Sequence, residues 1–221
     1  IHDFEEGACA TRKGDSRLCH GELRMSRARS KYHGVIPEPA LLQSQGLRLK
    51  EIVGVMNALS SDEARRDLAF NQQVDSMEGF FRAFEDLLIE RGEIQLLEEG
   101  RLLPEIKNAA IGIQDEILQA KSYWAVPRPY VESQAIAEVL PFKSQTADTY
   151  AYPSGHAAQA YFLASYLCHR ITQDYCSSLF RLAYRIGYGR VRIGVHYPQD
   201  FYAGRKLGLY LANLENMGEL S

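Results

Sequence analysis

Hydrophobic residues along most of this chain recur every three or four positions, which is the spacing of one helix face. Leu49, Ile52, Val53 and Met56 form the first such stripe. Ser60 with Glu63 three residues on has the spacing of a capping box, so a helix start is predicted there. Residues 74–90 place Phe80, Phe81, Phe84, Leu87 and Leu88 on one side and stop near Gly92. A further helix is predicted over 104–122, with Ile106, Ala109, Ala110, Ile113, Ile117 and Leu118 as its stripe; Pro127 and Pro129 break it. Helices resume over 155–171, 175–188 and 199–215. Between them, 130–153 reads as a long connecting loop, and such loops in compact domains are commonly functional. Strand-like alternation is nearly absent. The pattern predicts an all-α, single-domain multi-helix bundle over 36–221, preceded by an irregular polar arm over 1–35 whose end Pro37 and Pro39 mark.

Composition narrows the function classes. The chain has 221 residues, enough for one sizeable core, and a net charge of −3 with no basic stripe, which argues against a nucleic-acid surface. The basic stretch 24–31 (Arg24, Arg27, Arg29, Lys31) reads as a solvated arm or helix face. No apolar run approaches the roughly 18 residues of a membrane span; the best, 157–167, is short and stopped by His169 and Arg170. The first residue is Ile1 and not Met, the start expected of a processed chain whose signal peptide has been removed. Cys9, Cys19, Cys168 and Cys176 fall in two close pairs, which would suit local disulfides in an oxidising compartment, with all three pairings open. No pair has Cys-x-x-Cys spacing.

Three segments carry candidate chemistry. The first holds Lys121 and, seven residues on, Arg128-Pro129; the second is Pro153-Ser154-Gly155-His156; the third holds Gly189, Arg190, His196 and Asp200. Lys121, Arg128 and Arg190 offer one point charge and two planar forks, suited to a dianionic phosphoryl group and the added charge of its transition state. Ser154 is a natural N-cap, Gly155 allows close approach of a ligand to the backbone, and a helix N-terminus attracts anions. His156 would project from that first turn. His196 and Asp200 are four apart with Pro198 between, so His196 should precede a helix and Asp200 lie in its first turn. A carboxylate there would fix the imidazole tautomer through Nδ1 and leave Nε2 with its lone pair, as a nucleophile requires.

Together these segments resemble the type 2 phosphatidic acid phosphatase superfamily, which includes soluble bacterial class A nonspecific acid phosphatases and vanadium haloperoxidases. The family pattern is Lys, six residues, Arg-Pro; Pro-Ser-Gly-His; then Ser-Arg, five residues, His, three residues, Asp. The likeness covers roughly 105–210 in the right order, and one position departs: Gly189 stands where the family usually has Ser. Loss of that hydroxyl is expected to weaken positioning near Arg190.

The resemblance implies a metal-independent phosphomonoester hydrolase with no cofactor, acting on a phosphorylated small molecule or a lipid phosphate. The phosphoryl group would lie among Lys121, Arg128, Arg190 and the backbone of Ser154 and Gly155. Neutral His196 would attack in line, protonated His156 would donate to the leaving oxygen, and Asp200 would orient His196. One charged and one neutral histidine at the outset implies a bell-shaped pH–rate profile. With no membrane span and two cysteine pairs, the chain is closest in character to the acid phosphatases, which implies a periplasmic or secreted location. Tyr130, Phe142 and Tyr150 are expected to shape the leaving-group side, and Tyr123 and Trp124 to pack between helices. The other readings of the same motifs are a vanadate-dependent haloperoxidase and a catalytically weak phosphate- or phospholipid-binding module. The sequence leaves a homo-oligomer open.

Overall fold

The computed structural model describes residues 34–39, 61–171 and 175–220. The 49–56 stripe, Ser60, the basic stretch 24–31, Cys9, Cys19 and nearly all of the expected arm lie outside them. The described chain is all-α apart from one small hairpin.

The first helices are α1 (Ser61–Gln73) and α2 (Met77–Arg91). α2 starts later than its apolar pattern because Ser76 is extended and caps it, accepting from Gly79 N at 3.1 Å. Gly92 ends it in the left-handed region at φ 75°. Next comes an antiparallel hairpin, β1 (Leu97–Glu98) and β2 (Arg101–Leu102), with Leu97 opposite Leu102. Glu99 and Gly100 both have positive φ, as a two-residue hairpin turn requires. The helix expected over 104–122 is two helices, α3 (Pro104–Gly112) and α4 (Gln114–Trp124). Gly112 is a weak helix former, and the chain turns after it to bury Ile113 completely. The apolar stripe runs on across this turn, so periodicity does not reveal it. The 130–153 segment is likewise only partly loop: it contains most of α5 (Pro129–Glu132) and all of α6 (Gln134–Val139).

Three long helices complete the chain: α7 (Gly155–Cys168), α8 (Cys176–Arg192) and α9 (Pro198–Met217). α7 buries residues on every side from Ala157 to Leu167, as a central helix must. α8 and α9 pack along it, and α3 and α4 cover it further. Glycines set how close these helices come. A Cβ at Gly204 would lie 2.3 Å from the Ser154 carbonyl oxygen, and one at Gly208 would lie 2.1 Å from that of Ala158. α8 runs four residues past the expected 188, so Gly189 and Arg190 lie within its last turns. Cys168 and Cys176 form a disulfide between the end of α7 and the start of α8.

The first half of the chain is fastened to this core. Glu85 of α2 is fully buried and accepts from Leu102 N at 3.0 Å and Arg101 Nη1 at 3.2 Å, with Lys107 Nζ at 3.1 Å. Burial alone would raise its pKa; the Leu102 amide and the two cations overcome that and lower it. Tyr152 donates to the Pro37 carbonyl, and Ile36 joins the core. No helix among the described residues is long and apolar enough to cross a membrane.

The backbone contact at Gly208 makes a direct prediction. Gly208→Ala should destabilise the protein by about 1–3 kcal/mol, because the new methyl group meets a main-chain oxygen and not a movable side chain. An unchanged urea midpoint would contradict the packing described.

Candidate active site

The N-termini of α7 and α9 meet beside one cavity of about 320 Å³. Lys121, Arg128, His156, His196, Asp75 and Gly155 line it, with an apolar wall that includes Met77, Phe80, Ile117 and Leu118. Ser154 N–H donates to the Asp200 carbonyl at 2.9 Å, so the two histidine-bearing turns are joined through the main chain.

His196 is buried, two residues before Pro198 at the first position of α9. Asp200 Oδ2 accepts from the N-cap amide of Tyr197 at 2.9 Å and lies 3.1 Å from His196 Nδ1. The carboxylate therefore caps the helix and orients the imidazole with the same oxygen. A carboxylate only accepts, so Nδ1 carries the proton and Nε2 the lone pair. Arg128 Nη1 donates to that Nε2 at 2.8 Å.

His156 lies in the first turn of α7, and its Nε2 is 3.1 Å from the Val74 carbonyl oxygen. A carbonyl can only accept, so Nε2 holds a proton there. Burial, with Arg190 and Arg128 nearby, outweighs Asp75 and the Val74 carbonyl and pushes the His156 pKa down to about 3. Burial, then Arg128, Lys121 and Arg190, hold His196 well below its ordinary value. Both imidazoles are thus neutral in the free site near neutral pH. In the unliganded protein the charge expected on one histidine is opposed at His156 by desolvation with Arg190 and Arg128, and at His196 by desolvation with Arg128, Lys121 and Arg190.

Each cation is buried and held by main-chain or side-chain oxygens. Lys121 Nζ donates to the Tyr150 carbonyl at 2.5 Å. Arg128 Nε donates to the Thr149 carbonyl at 2.8 Å, and Nη1 to that of Val195 at 3.0 Å. Arg190 Nη2 pairs with Asp75 Oδ1 at 2.5 Å and donates to Ser144 Oγ at 2.8 Å; its Nη1 donates to the Asn71 carbonyl at 3.2 Å. Asp75 also accepts from Ser144 Oγ at 2.6 Å and Gln145 N at 2.7 Å. Burial lowers the pKa of Lys121 well below its usual value, with Arg128 adding to the effect. Burial also lowers Arg128 to about 10 and lowers Arg190. Lys121 and Arg128 line the cavity and Arg190 does not; Arg128 nonetheless feels the charge of Arg190, and Lys121 that of Arg128, and desolvated cations coupled in this way favour an anion beside them.

Ser154 is fully buried; besides its N–H bond to Asp200, its Oγ accepts from Ala157 N at 3.4 Å. Gly155 lines the cavity. At Gly189 a Cβ would stand 2.5 Å from Asn71 Oδ1, so the space where the family serine would begin is already filled by an amide.

Sequence reasoning missed Asn71, Val74, Asp75 and Ser144, all of which touch Arg190 or His156. They lie outside the motif segments, and no spacing rule connects them to it. Tyr130, Phe142 and Tyr150, expected on the leaving-group side, do not line this cavity; from that loop Gln145, Thr146, Asp148 and Thr149 do. Tyr130 and Tyr150 line a cavity that shares Lys121, Arg128, Asp148 and Thr149 with it, and Phe142 lines a further one with Tyr130. Trp124 packs edge-on against Tyr152 and Tyr123 against Trp124, as helix packing would have them. Among the described residues, no group of three or more His, Cys, Asp or Glu is placed to hold a metal ion.

The His156 environment has a consequence for stability. Its folded pKa is about 3 against an ordinary value of 6.5, so between these values the unfolded chain binds the extra proton. Stability from this group is present above pH 6.5 and is lost as pH falls toward 3. The melting temperature should therefore drop on acidification, and less steeply in His156→Gln. Parallel pH slopes for the two proteins would contradict a buried neutral His156.

Residues 108–216, from within α3 to near the end of α9, match the family model described as PAP2 superfamily. No curated protein matches the chain. The matched span includes every motif residue described above, and residues 108–216 thus form a PAP2 superfamily domain, of a family whose general activity is that of a phosphatase.

Proposed function

We propose that this protein is a metal-independent, acid-phosphatase-like phosphomonoester hydrolase that works through a phosphohistidine at His196. The observation that carries the reading is the file formed by Asp200, His196 and Arg128, with two further buried cations, Lys121 and Arg190, near it. The Nε2 lone pair of His196 points at the arginine that a phosphate oxygen would engage.

When a phosphate monoester enters, its oxygens take over the donors of Arg128, Arg190 and Lys121, with the Gly155 and His156 amides at the helix N-terminus adding to the cradle. Withdrawal of Arg128 Nη1 exposes Nε2, which attacks phosphorus. The N–P bond forms, the ester P–O bond breaks, and the leaving oxygen takes a proton from His156. Water then attacks phosphorus, the N–P bond breaks, and His156 accepts the water's proton. Asp200 stabilises the positive charge that His196 carries in the intermediate. The buried cations supply the charge neutralisation that a metal supplies elsewhere.

Because His156 is neutral in the free site, the proton arrives with the substrate. A bound monoanion hands its proton to His156, whose pKa rises once the phosphate offsets Arg190 and Arg128. The apolar wall of the cavity suits an ester with an alkyl or aryl leaving group, as a phosphorylated small molecule or a lipid phosphate provides. The Cys168–Cys176 disulfide supports a periplasmic or secreted location.

p-Nitrophenyl phosphate should be hydrolysed in the presence of EDTA, with His196→Ala lowering kcat by at least about a thousandfold. The value of kcat/KM should be level from pH 4 to about 6 and decline above it, as the monoester loses its second proton near that pH. Activity abolished by EDTA, retained in His196→Ala, or rising through pH 8 would contradict the mechanism.

A further inference from the structure

We propose that Asn71 is a positioning residue for Arg190, and that Gly189 is the notch that admits it. This rests on the functional reading above, in which Arg190 binds phosphate.

Asn71 lies in α1, outside the stretch that matches the family model, yet its main-chain carbonyl accepts from Arg190 Nη1 at 3.2 Å. That contact needs α1 pressed against the last turns of α8. The interface is closed by the Asn71 side chain, which is fully buried. An ideal Cβ at residue 189 would lie 2.5 Å from Asn71 Oδ1, 2.8 Å from Nδ2 and 3.0 Å from Cγ. A side chain at 189 and the amide at 71 are therefore mutually exclusive in this geometry, and the chain carries the amide.

The amide is fixed. Nδ2 donates to the Asp67 carbonyl at 2.8 Å, one helical turn back, which sets the rotamer and holds Oδ1 toward α8. Oδ1 is buried without a hydrogen-bond partner among the described residues, and so is Arg190 Nε. A pure space filler at this site would be better as a hydrocarbon of the same volume, which leaves no orphaned oxygen. The same short stretch, 71–75, supplies three contacts to the reacting site: the Asn71 carbonyl and the Asp75 carboxylate to Arg190, and the Val74 carbonyl to His156. Asn71 is where that stretch locks onto α8. Moving it withdraws two of the three partners that hold the Arg190 fork.

The loss expected from Gly189 is thus met from the first half of the chain: Asn71 replaces a side chain on α8 with one from α1. A family-like hydroxyl at 189 would not improve this enzyme unless residue 71 shrank at the same time.

The test is direct binding of inorganic phosphate by calorimetry, with melting temperatures, for the parent, Asn71→Ala, Gly189→Ala and the double variant. Asn71→Ala should weaken phosphate binding about tenfold and Gly189→Ala by at least as much, and the double should bind no more weakly than Asn71→Ala alone, since with a small residue at 71 the methyl group costs nothing further. KM for p-nitrophenyl phosphate should follow the same order. If both single variants bind phosphate like the parent while melting lower, the pair serves packing alone and the proposal is wrong. A double variant whose loss is the sum of the two single losses would also overturn it. Should Gly189→Ala fail to fold, Asn71→Ala decides: unchanged phosphate affinity there rejects the positioning role. A parent that neither binds nor hydrolyses phosphate esters would count against the enzymatic reading itself, and loss of the 71–189 coupling would then show only in the melting temperatures.

Discussion

Two helix N-termini meet where Ser154 N–H donates to the Asp200 carbonyl, and the site's geometry depends on that contact. It sets the first turn of α7, which carries His156, against the first turn of α9, which comes just after His196. The contact is feasible because Gly204 lets α9 approach the Ser154 carbonyl to within the volume a methyl group would need. Asp200 then does two jobs with one carboxylate, capping α9 and orienting His196. Packing, capping and chemistry share the same few atoms, so a shift of one helix would disturb all three.

Around this joint the electrostatics run against ordinary protonation. Lys121, Arg128 and Arg190 are desolvated together, with Asp75 and Asp200 as the buried carboxylates among them. Such a site disfavours the charged form of both histidines in the free protein. In the proposed mechanism this couples ligand charge to catalytic protonation: a bound phosphoryl group would be at once the substrate and the element that raises the pKa of His156. In the free protein internal oxygens occupy the cations, so binding is an exchange of acceptors rather than the filling of bare charge.

The second half of the chain was largely legible from sequence, for physical reasons. His196, Pro198 and Asp200 encode a helix start locally, and so do Pro153, Ser154 and Gly155, because capping rules act over three or four residues. The break at Ile113 was hidden because an apolar stripe runs through it, and α5 and α6 because helices of four and six residues carry too little period. Asn71, Val74 and Asp75 were illegible for another reason. Asp75 meets Arg190 across 115 positions of chain, and a contact at that separation leaves no local signature. The resemblance marked Gly189 as a departure, but only the packing of α1 against α8 shows what fills the space.

The central claim is that His196 becomes covalently phosphorylated. The most direct measurement is rapid quenching of a single turnover with substrate labelled in its phosphoryl group, then peptide mapping. The account predicts a transient phosphoprotein with the label on His196, formed no more slowly than the leaving alcohol appears and absent in His196→Ala. Hydrolysis without any phosphoprotein, or a label on another residue, would contradict it.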